Sequence, residues 1–190
     1  FLRRHARAAG VTVLLLGLAA GAWWVADEIE TSRFQATHLA AYFAHAGQQV
    51  MLGDIDRQHS AREWLASRPA HLPAIATWDI GHDHIARPPR GASHVVLDTP
   101  AGLRGKMLDK VLKLSARVIV PVQPSLFDIL ATQRFLETLL KEKAVRKEKA
   151  FVAVVGMRVD ARTRAAAELE RFLSSYELPV LACLRDTQIY

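Results

Sequence analysis

Two stretches decide the fold: Val50–Ser60 (VMLGDIDRQHS) and His94–Gly102 (HVVLDTPAG). Each contains a run of apolar residues that stops at an aspartate, Asp54 in the first and Asp98 in the second. Such runs, with polar residues only at their ends, are typical of strands buried in a parallel sheet. Because ligands bind outside the carboxyl ends of these strands, both aspartates are candidates for one shared site.

Strand and helix patterns alternate along the rest of the chain. Further strand patterns lie at residues 75–78, 117–122, 151–155 and 179–184, and helix patterns at residues 34–47, 103–115 and 163–176. Ser60 with Glu63, and Ser125 with Asp128, have the spacing of a capping box, and the second pair predicts a helix running to about Lys143. The alternation predicts an α/β domain in which a mostly parallel sheet carries helices on both faces, a three-layer arrangement.

The composition is that of one globular domain with a basic charge. The chain has 190 residues, of which 51% are hydrophobic, and 25 Lys and Arg against 19 Asp and Glu. This excludes a disordered chain and suits a polyanionic partner such as DNA or an anionic membrane, although many ordinary proteins are equally basic. Cys183 is the single cysteine, which excludes an intramolecular disulfide. Its apolar neighbours predict a buried strand position.

The N-terminal segment has two interpretations. Residues 8–26 carry no charge and include Trp23 and Trp24, which is typical of a membrane-spanning helix with interfacial tryptophans. Alternatively, Val11–Gly17 is a buried first strand of the sheet. We favour the strand because the strand and helix units downstream need one to precede them.

Five motifs together resemble the ParA/MinD family of partition and positioning ATPases. They are ATHLAAYFAHAG at residues 36–47, DIDRQ at 54–58, VLDTPAG at 96–102, VIVPVQPSLFD at 118–128 and LRDTQ at 184–188. The resemblance covers residues 34–190 and leaves residues 1–33 as an atypical N-terminal segment. It implies a P-loop NTPase-like fold, ATP and Mg²⁺ as cofactors, and a homodimer when ATP is bound. It also implies non-specific DNA and a partner or cargo protein as binding partners. The expected location is the bacterial cytoplasm, at the nucleoid, with membrane association through residues 8–26 as the alternative.

The same resemblance assigns roles to the strand-end residues. Asp56 would position the attacking water for hydrolysis, Asp54 would belong to the magnesium surroundings, and Asp98 would serve as the Walker B aspartate that binds Mg²⁺. Residues Thr99 to Gly102 would form a switch loop that senses the γ-phosphate. Phosphoryl transfer needs such a metal and such a water-orienting group. The alternative interpretation is that the aspartates merely cap the turns that follow them.

Two departures from the family pattern predict weaker nucleotide binding. No Gly-rich loop ending in Gly-Lys-Ser/Thr is present, and residues 27–33 (DEIETSR) stand in its place. Ser32 and Arg33 then occupy the Lys and Ser/Thr positions, where Arg33 could contact a phosphate or simply be solvated. Met157 and Arg158 stand where relatives often have Asn-Arg for adenine, and Met157 is otherwise an ordinary hydrophobe at a strand end. The chain is therefore predicted to be an impaired ATPase, with a non-hydrolysing scaffold and a membrane-anchored protein as alternatives.

A basic run near the middle of the chain is the candidate DNA contact. Its cations are Lys141, Lys143, Arg146, Lys147 and Lys149. Interspersed glutamates leave a solvated helix end as the alternative interpretation. A second basic group comprises Arg158, Arg162, Arg164 and Arg171. The eight histidines show no grouping that predicts a zinc site.

Overall fold

The structure is a computed structural model that describes residues 36–80 and 85–185, together with the backbone of residues 10–14. Seven strands are present: β1 (Gly10–Leu14), β2 (Val50–Asp54), β3 (Ile75–Trp78), β4 (His94–Asp98), β5 (Arg117–Val122), β6 (Phe151–Gly156) and β7 (Val180–Cys183). The helices are α1 (described over residues 36–45), α2 (Ser60–Ser67), α3 (Gly105–Leu114), α4 (Leu126–Leu139), α5 (Lys143–Arg146) and α6 (Arg164–Ser174). The predicted alternation of strands and helices is confirmed.

The strands form one sheet in the order β3-β2-β4-β1-β5-β6-β7, and every neighbouring pair is parallel. Gly10–Leu14 lies at its centre, where it pairs with β4 on one side and β5 on the other. The predicted first strand is thus present. The alternative prediction, a membrane-spanning helix over residues 8–26, is wrong for Gly10–Leu14, which form a strand. The remainder of that segment lies outside the described residues. No helix in the described part of the chain is long and apolar enough to cross a membrane.

Helices cover the two faces of the sheet, as the α/β prediction requires. On one face, buried residues of α1 and α2 pack against Val50, Leu52 and Val96. On the other, buried residues of α3, α4 and α6 pack in one cluster with strand residues such as Val95 and Leu97. The split follows from the strand order. The chain moves one way along the sheet from β1 to β3 and the other way from β4 to β7, and right-handed crossovers then place the two sets of helices on opposite faces.

The predicted burial of Cys183 is wrong. All four residues of β7 are exposed, and Cys183 is exposed with them. β7 is an edge strand that pairs only with β6. An apolar sequence predicts burial. An edge strand, however, has a neighbouring strand on one side only, and its position in the sheet depends on pairings remote in sequence.

The long helix after Ser125 ends sooner than predicted. Ser125 does cap it, because its Oγ accepts a hydrogen bond from the Asp128 backbone N–H at 3.1 Å and its hydroxyl contacts the Asp128 carboxylate. The helix nevertheless stops at Leu139, and a separate short helix, α5, follows the intervening turn. The basic run therefore lies on turns around a single helical turn, and Glu148 there takes a left-handed φ of 54°.

Candidate strand-end site

The two aspartates that end the apolar runs lie side by side. Asp54 and Asp98 are register partners at the carboxyl ends of β2 and β4, and the Ile55 backbone N–H donates to the Asp98 carbonyl oxygen at 3.1 Å. Leu14 of β1 is the partner of Asp98 on its other side. The chain leaves β1 and β4 in opposite directions along the sheet, which makes this the switch point where α/β sheets bind ligands.

Asp54 holds the backbone around it through both carboxylate oxygens. Its Oδ1 accepts the Asp56 N–H at 2.9 Å, and its Oδ2 accepts the N–H groups of Ala61 and Arg62 at 3.0 and 3.2 Å. Only 3% of the residue is exposed. Burial raises the pKa of Asp54, and the three backbone hydrogen bonds partly oppose this while the nearby Asp56 charge adds to it. The capping interpretation thus describes what Asp54 does within this chain.

These bonds correct the predicted start of α2. The residue at the N-cap is His59, with a left-handed φ of 51° and no side-chain cap, so the Ser60 and Glu63 capping box does not form. Asp54 replaces it from outside the helix, because the end of β2 brings a carboxylate to the free N–H groups of the first turn. A carboxylate at that place also interacts favourably with the helix dipole.

Asp56 is the more accessible of the two neighbouring acids. Its backbone N–H is fixed by Asp54, its carbonyl accepts the His59 N–H at 3.2 Å, and its Oδ1 accepts the Gln58 N–H at 3.0 Å. The residue is half-buried. These contacts hold the Asp56 carboxylate on the turn between β2 and α2.

Asp98 and Thr99 lead into the predicted switch loop. Asp98 is 3% exposed and Thr99 is fully buried. Gly102 then takes a φ of +69° and Gly105 a φ of +58°, both in the left-handed region that glycine adopts readily. The loop that begins after Asp98 ends at Arg104. Arg104 is the N-cap of α3 and makes no side-chain cap hydrogen bond. The loop therefore joins the strand-end site directly to the first turn of α3.

The donor set at this edge suits a magnesium ion only as a companion of a bound phosphate. Among the described residues no three His, Cys, Asp or Glu side chains group closely enough to hold a metal ion. Mg²⁺ commonly binds through one or two carboxylates plus phosphates and water, so the arrangement fits. Asp98 would be the direct ligand. Asp54, whose two oxygens already bond backbone N–H groups, fits as the residue that positions Asp56.

The end of β6 carries the residues predicted near the adenine. Met157 is 4% exposed and its N–H donates to the Val122 carbonyl at 2.8 Å, which favours the interpretation of an ordinary hydrophobe at a strand end. Arg158 has a left-handed φ of 51°. Further on, the Arg162 guanidinium donates to both oxygens of Asp160 at 3.0 and 2.9 Å, and this hydrogen bonding lowers the pKa of Asp160 to about 2.

The other predicted contacts are not brought to this site. Ser32 and Arg33 lie outside the described residues. Lys141, Lys143, Arg146, Lys147 and Lys149 are all exposed, but they follow α4, which begins at the carboxyl end of β5 and has 14 residues. At 1.5 Å per residue the helix carries the chain roughly 21 Å away, toward the amino ends of the strands. The candidate DNA contact is therefore on the opposite edge of the sheet from Asp54 and Asp98.

Several solved structures have a fold similar to that of this chain. A plasmid partition protein from Borrelia burgdorferi aligns over 95% of this chain and 91% of its own, with a TM-score of 0.65 and 13% identity. Cobyrinic acid a,c-diamide synthase from Mycobacterium smegmatis, with bound ADP and magnesium, gives 0.68 at 19% identity over 95% and 88%. The MinD cell division protein of Aquifex aeolicus gives 0.59 at 16% over 95% and 84%.

No protein-family model and no curated protein matches the sequence. The structural likeness nevertheless supports the resemblance seen in the motifs. The chain has a ParA/MinD-like, P-loop NTPase-like fold.

Proposed function

We propose that this protein is a ParA-like ATPase-fold protein that partitions or positions DNA or another cargo, with nucleotide binding impaired by the missing Gly-Lys-Ser/Thr loop. The observation that carries the proposal is the pairing of Asp54 and Asp98 at neighbouring strand ends, at the switch point of a ParA/MinD-like sheet. Non-specific DNA, a partner or cargo protein and an ATP-dependent homodimer belong to the same proposal, as does a location at the nucleoid.

In the proposed site the residues of this chain divide the work. Asp98 would hold Mg²⁺, which supplies charge neutralisation for phosphoryl transfer when bound with ATP. Asp54 fixes the backbone of Asp56, and Asp56 would orient the attacking water. Thr99 and Gly102 belong to the loop that leads to α3, and this loop would sense the γ-phosphate. Met157 and Arg158 would lie next to the adenine base.

The low affinity for ATP in this proposal follows from the chemistry of residues 27–33. A phosphate loop offers successive backbone N–H groups and a lysine, whereas this segment offers Asp27, Glu28 and Glu30, which repel phosphate. Ser32 and Arg33 would be the residues there that contact the nucleotide. Lost charge-assisted hydrogen bonds are worth about 1.5–3 kcal/mol each, so the affinity should fall by orders of magnitude.

Titration calorimetry with ATP and Mg²⁺ tests the proposal. The chain as it stands should bind ATP no better than weakly, and a variant with Lys-Gly-Gly-Ala-Gly-Lys-Ser in place of residues 27–33 should bind in the micromolar range. Hydrolysis by the repaired variant should be lost in Asp56→Ala and retained in Glu177→Gln, an exposed acid just before β7, at the amino ends of the strands. Repaired protein that neither binds nor hydrolyses ATP would contradict the proposal.

A scaffold that binds no nucleotide is the second candidate, and the bonding of Asp54 favours it. A carboxylate that caps α2 through the N–H groups of Ala61 and Arg62, and holds the preceding turn through the Asp56 N–H, accounts for its own presence without a metal. Under this alternative the repaired variant would still fail to hydrolyse ATP, while Asp54 would remain essential for folding. The membrane-anchored alternative loses support from the strand at Gly10–Leu14, and detergent-independent solubility of the full chain would count against it further.

A further inference from the structure

The positive charge of this chain is concentrated on α3 and on the segment around α5. Residues 104–113 and 141–149 carry nine Lys and Arg against three Asp and Glu, so their net charge of +6 equals that of the whole chain. We define the α3–α5 basic surface as these nine cations: Arg104, Lys106, Lys110, Lys113, Lys141, Lys143, Arg146, Lys147 and Lys149. α3 and α5 are neighbours in the fold, and all nine residues are exposed. The sequence pattern alone predicts only the second part of this surface, residues 141–149.

The lysines of α3 form one outward row. Lys106, Lys110 and Lys113 follow one another at spacings of four and three residues, which places them on a single helix face. The opposite face packs into the core through the buried side chains of Leu108, Val111 and Leu112. Burial of that face fixes the row toward solvent.

Few of these cations have counter-charges. Lys113 bonds Asp109 at 2.6 Å, and this is the one ion pair made by the nine cations within the described residues. Lys106 stands in the first turn of α3, which has no acidic residue and no side-chain cap, so its charge opposes the helix dipole. Lys106 and Lys110 also repel each other at a spacing of four residues. Lys106 and Lys110 therefore cost the fold stability, as is expected of residues kept for a function.

We propose that the α3–α5 basic surface binds the phosphate backbone of duplex DNA without regard to base sequence. Lys106 to Lys113 spans about 10 Å at 1.5 Å per residue, the distance over which one DNA strand presents about three phosphates. The inference rests on the proposed function for the choice of DNA. It adds the α3 row, which adjoins the loop from Asp98 to Gly102 and so connects the α3–α5 basic surface to the strand-end site.

DNA fits this surface better than an anionic membrane. Membrane-surface helices pair a basic face with an apolar face that inserts into lipid. The apolar face of α3 is buried in the protein core, and α5 is only four residues long and has no large exposed hydrophobic residue. A surface with nine cations against three acids and no inserting apolar face matches a phosphate backbone.

Anisotropy of a fluorescent mixed-sequence duplex, titrated with the full chain at about 50 and 200 mM KCl, tests the assignment. Lys106→Gln/Lys110→Gln should weaken binding about tenfold at the lower salt and reduce the salt slope by roughly two phosphate contacts. The matched control is Arg164→Gln/Arg171→Gln, which removes two exposed charges from the rival basic group on α6 and should leave both values nearly unchanged. Circular dichroism melting would verify that both variants fold.

Several results would overturn the inference. These are an equal loss in the control pair, strong preference for one sequence, absence of binding at about 50 mM salt, or tighter binding to phosphatidylglycerol vesicles than to DNA. Measurements without nucleotide separate this inference from the proposed function. DNA binding through α3 with no ATP binding by the loop-repaired variant would remove the ATPase proposal alone, whereas ATP hydrolysis without DNA binding would remove this inference alone.

Discussion

The strand-end aspartates and the α3–α5 basic surface differ in what the fold demands of them. Asp54 and Asp98 are buried, and Asp54 bonds three backbone N–H groups. Lys106 and Lys110 are exposed, form no ion pair within the described part of the chain, and oppose their own helix. The bonding of Asp54 gives that acid a role in the fold itself, whereas the fold gives no such role to Lys106 and Lys110, which is what a binding surface for a partner predicts. The two regions should therefore respond to substitution in opposite ways.

Asp54→Ala should have the largest effect. It removes three hydrogen bonds to a buried carboxylate and leaves the first turn of α2 without its cap, so we expect a loss of about 2–4 kcal/mol in the free energy of unfolding. Urea unfolding followed by tryptophan fluorescence measures this, since Trp78 is buried next to the same strand. Asp79→Asn, an exposed acid, is the control and should change little. An unchanged midpoint for Asp54→Ala would contradict the structural role.

Gly53→Ala should have the next largest effect, because Gly53 allows the strand to place Asp54. A Cβ atom at this position would come within 2.7 Å of Trp78 Cε3 and 2.9 Å of Ile80 Cδ1. Overpacking of this kind costs about 1–3 kcal/mol. The matched control is Gly47→Ala, where no atom lies within 4 Å but a φ of +75° strains any side chain. Equal stability of Gly53→Ala and wild type would show that Trp78 moves aside without cost.

The sequence predicted the sheet better than it predicted the site. β2 and β4 were evident because a buried parallel strand needs an apolar run and ends where polar residues begin. The bonding of Asp54 was not evident, because its partners Ala61 and Arg62 lie seven and eight residues further on and depend on the turn between them. A capping box at Ser60 was the nearer solution in sequence, and the carboxylate from β2 took its place.

Non-local pairing explains the other failures. The exposure of Cys183 depends on β7 being at the edge of the sheet, which no local pattern reveals. The α3 row was visible as Lys106, Lys110 and Lys113, but lysines on a helix are ordinary until the opposite face is known to be buried. A count of charge by segment would have revealed it, because two short segments contain the whole net charge.

Lowering the pH should reduce the stability of the fold through His94 and increase it through Asp54, two residues at opposite ends of the central strands. His94, at the amino end of β4, packs on Phe43 with ring centroids 4.5 Å apart, and burial together with the Arg117 charge lowers its pKa. The unfolded chain then binds the proton more readily, so stability falls as the pH drops below about 6.5. The pKa of Asp54 is raised, so the folded chain holds that proton more readily and stability rises as the pH falls from the folded pKa of Asp54 toward 3.8.

Urea unfolding at a series of pH values separates these contributions. His94→Gln should flatten the fall in stability between about pH 7 and pH 5, and Asp54→Asn should remove the opposing gain at lower pH. A His94→Gln profile parallel to that of wild type would show that His94 does not govern the acid response.

Lys106→Glu should have the smallest effect on stability and the opposite sign to Asp54→Ala. A glutamate in the first turn of α3 interacts favourably with the helix dipole and replaces the repulsion of Lys110 with an attraction at four residues, which together should add about 0.5–1 kcal/mol to the free energy of unfolding. The same variant should bind duplex DNA more weakly than wild type. Lys113→Glu is the contrasting control, because it places an acid in the last turn and breaks the pair with Asp109, so it should weaken both properties. A destabilised Lys106→Glu would mean that the fold does need this cation, and the contrast between the acids and the cations would no longer hold.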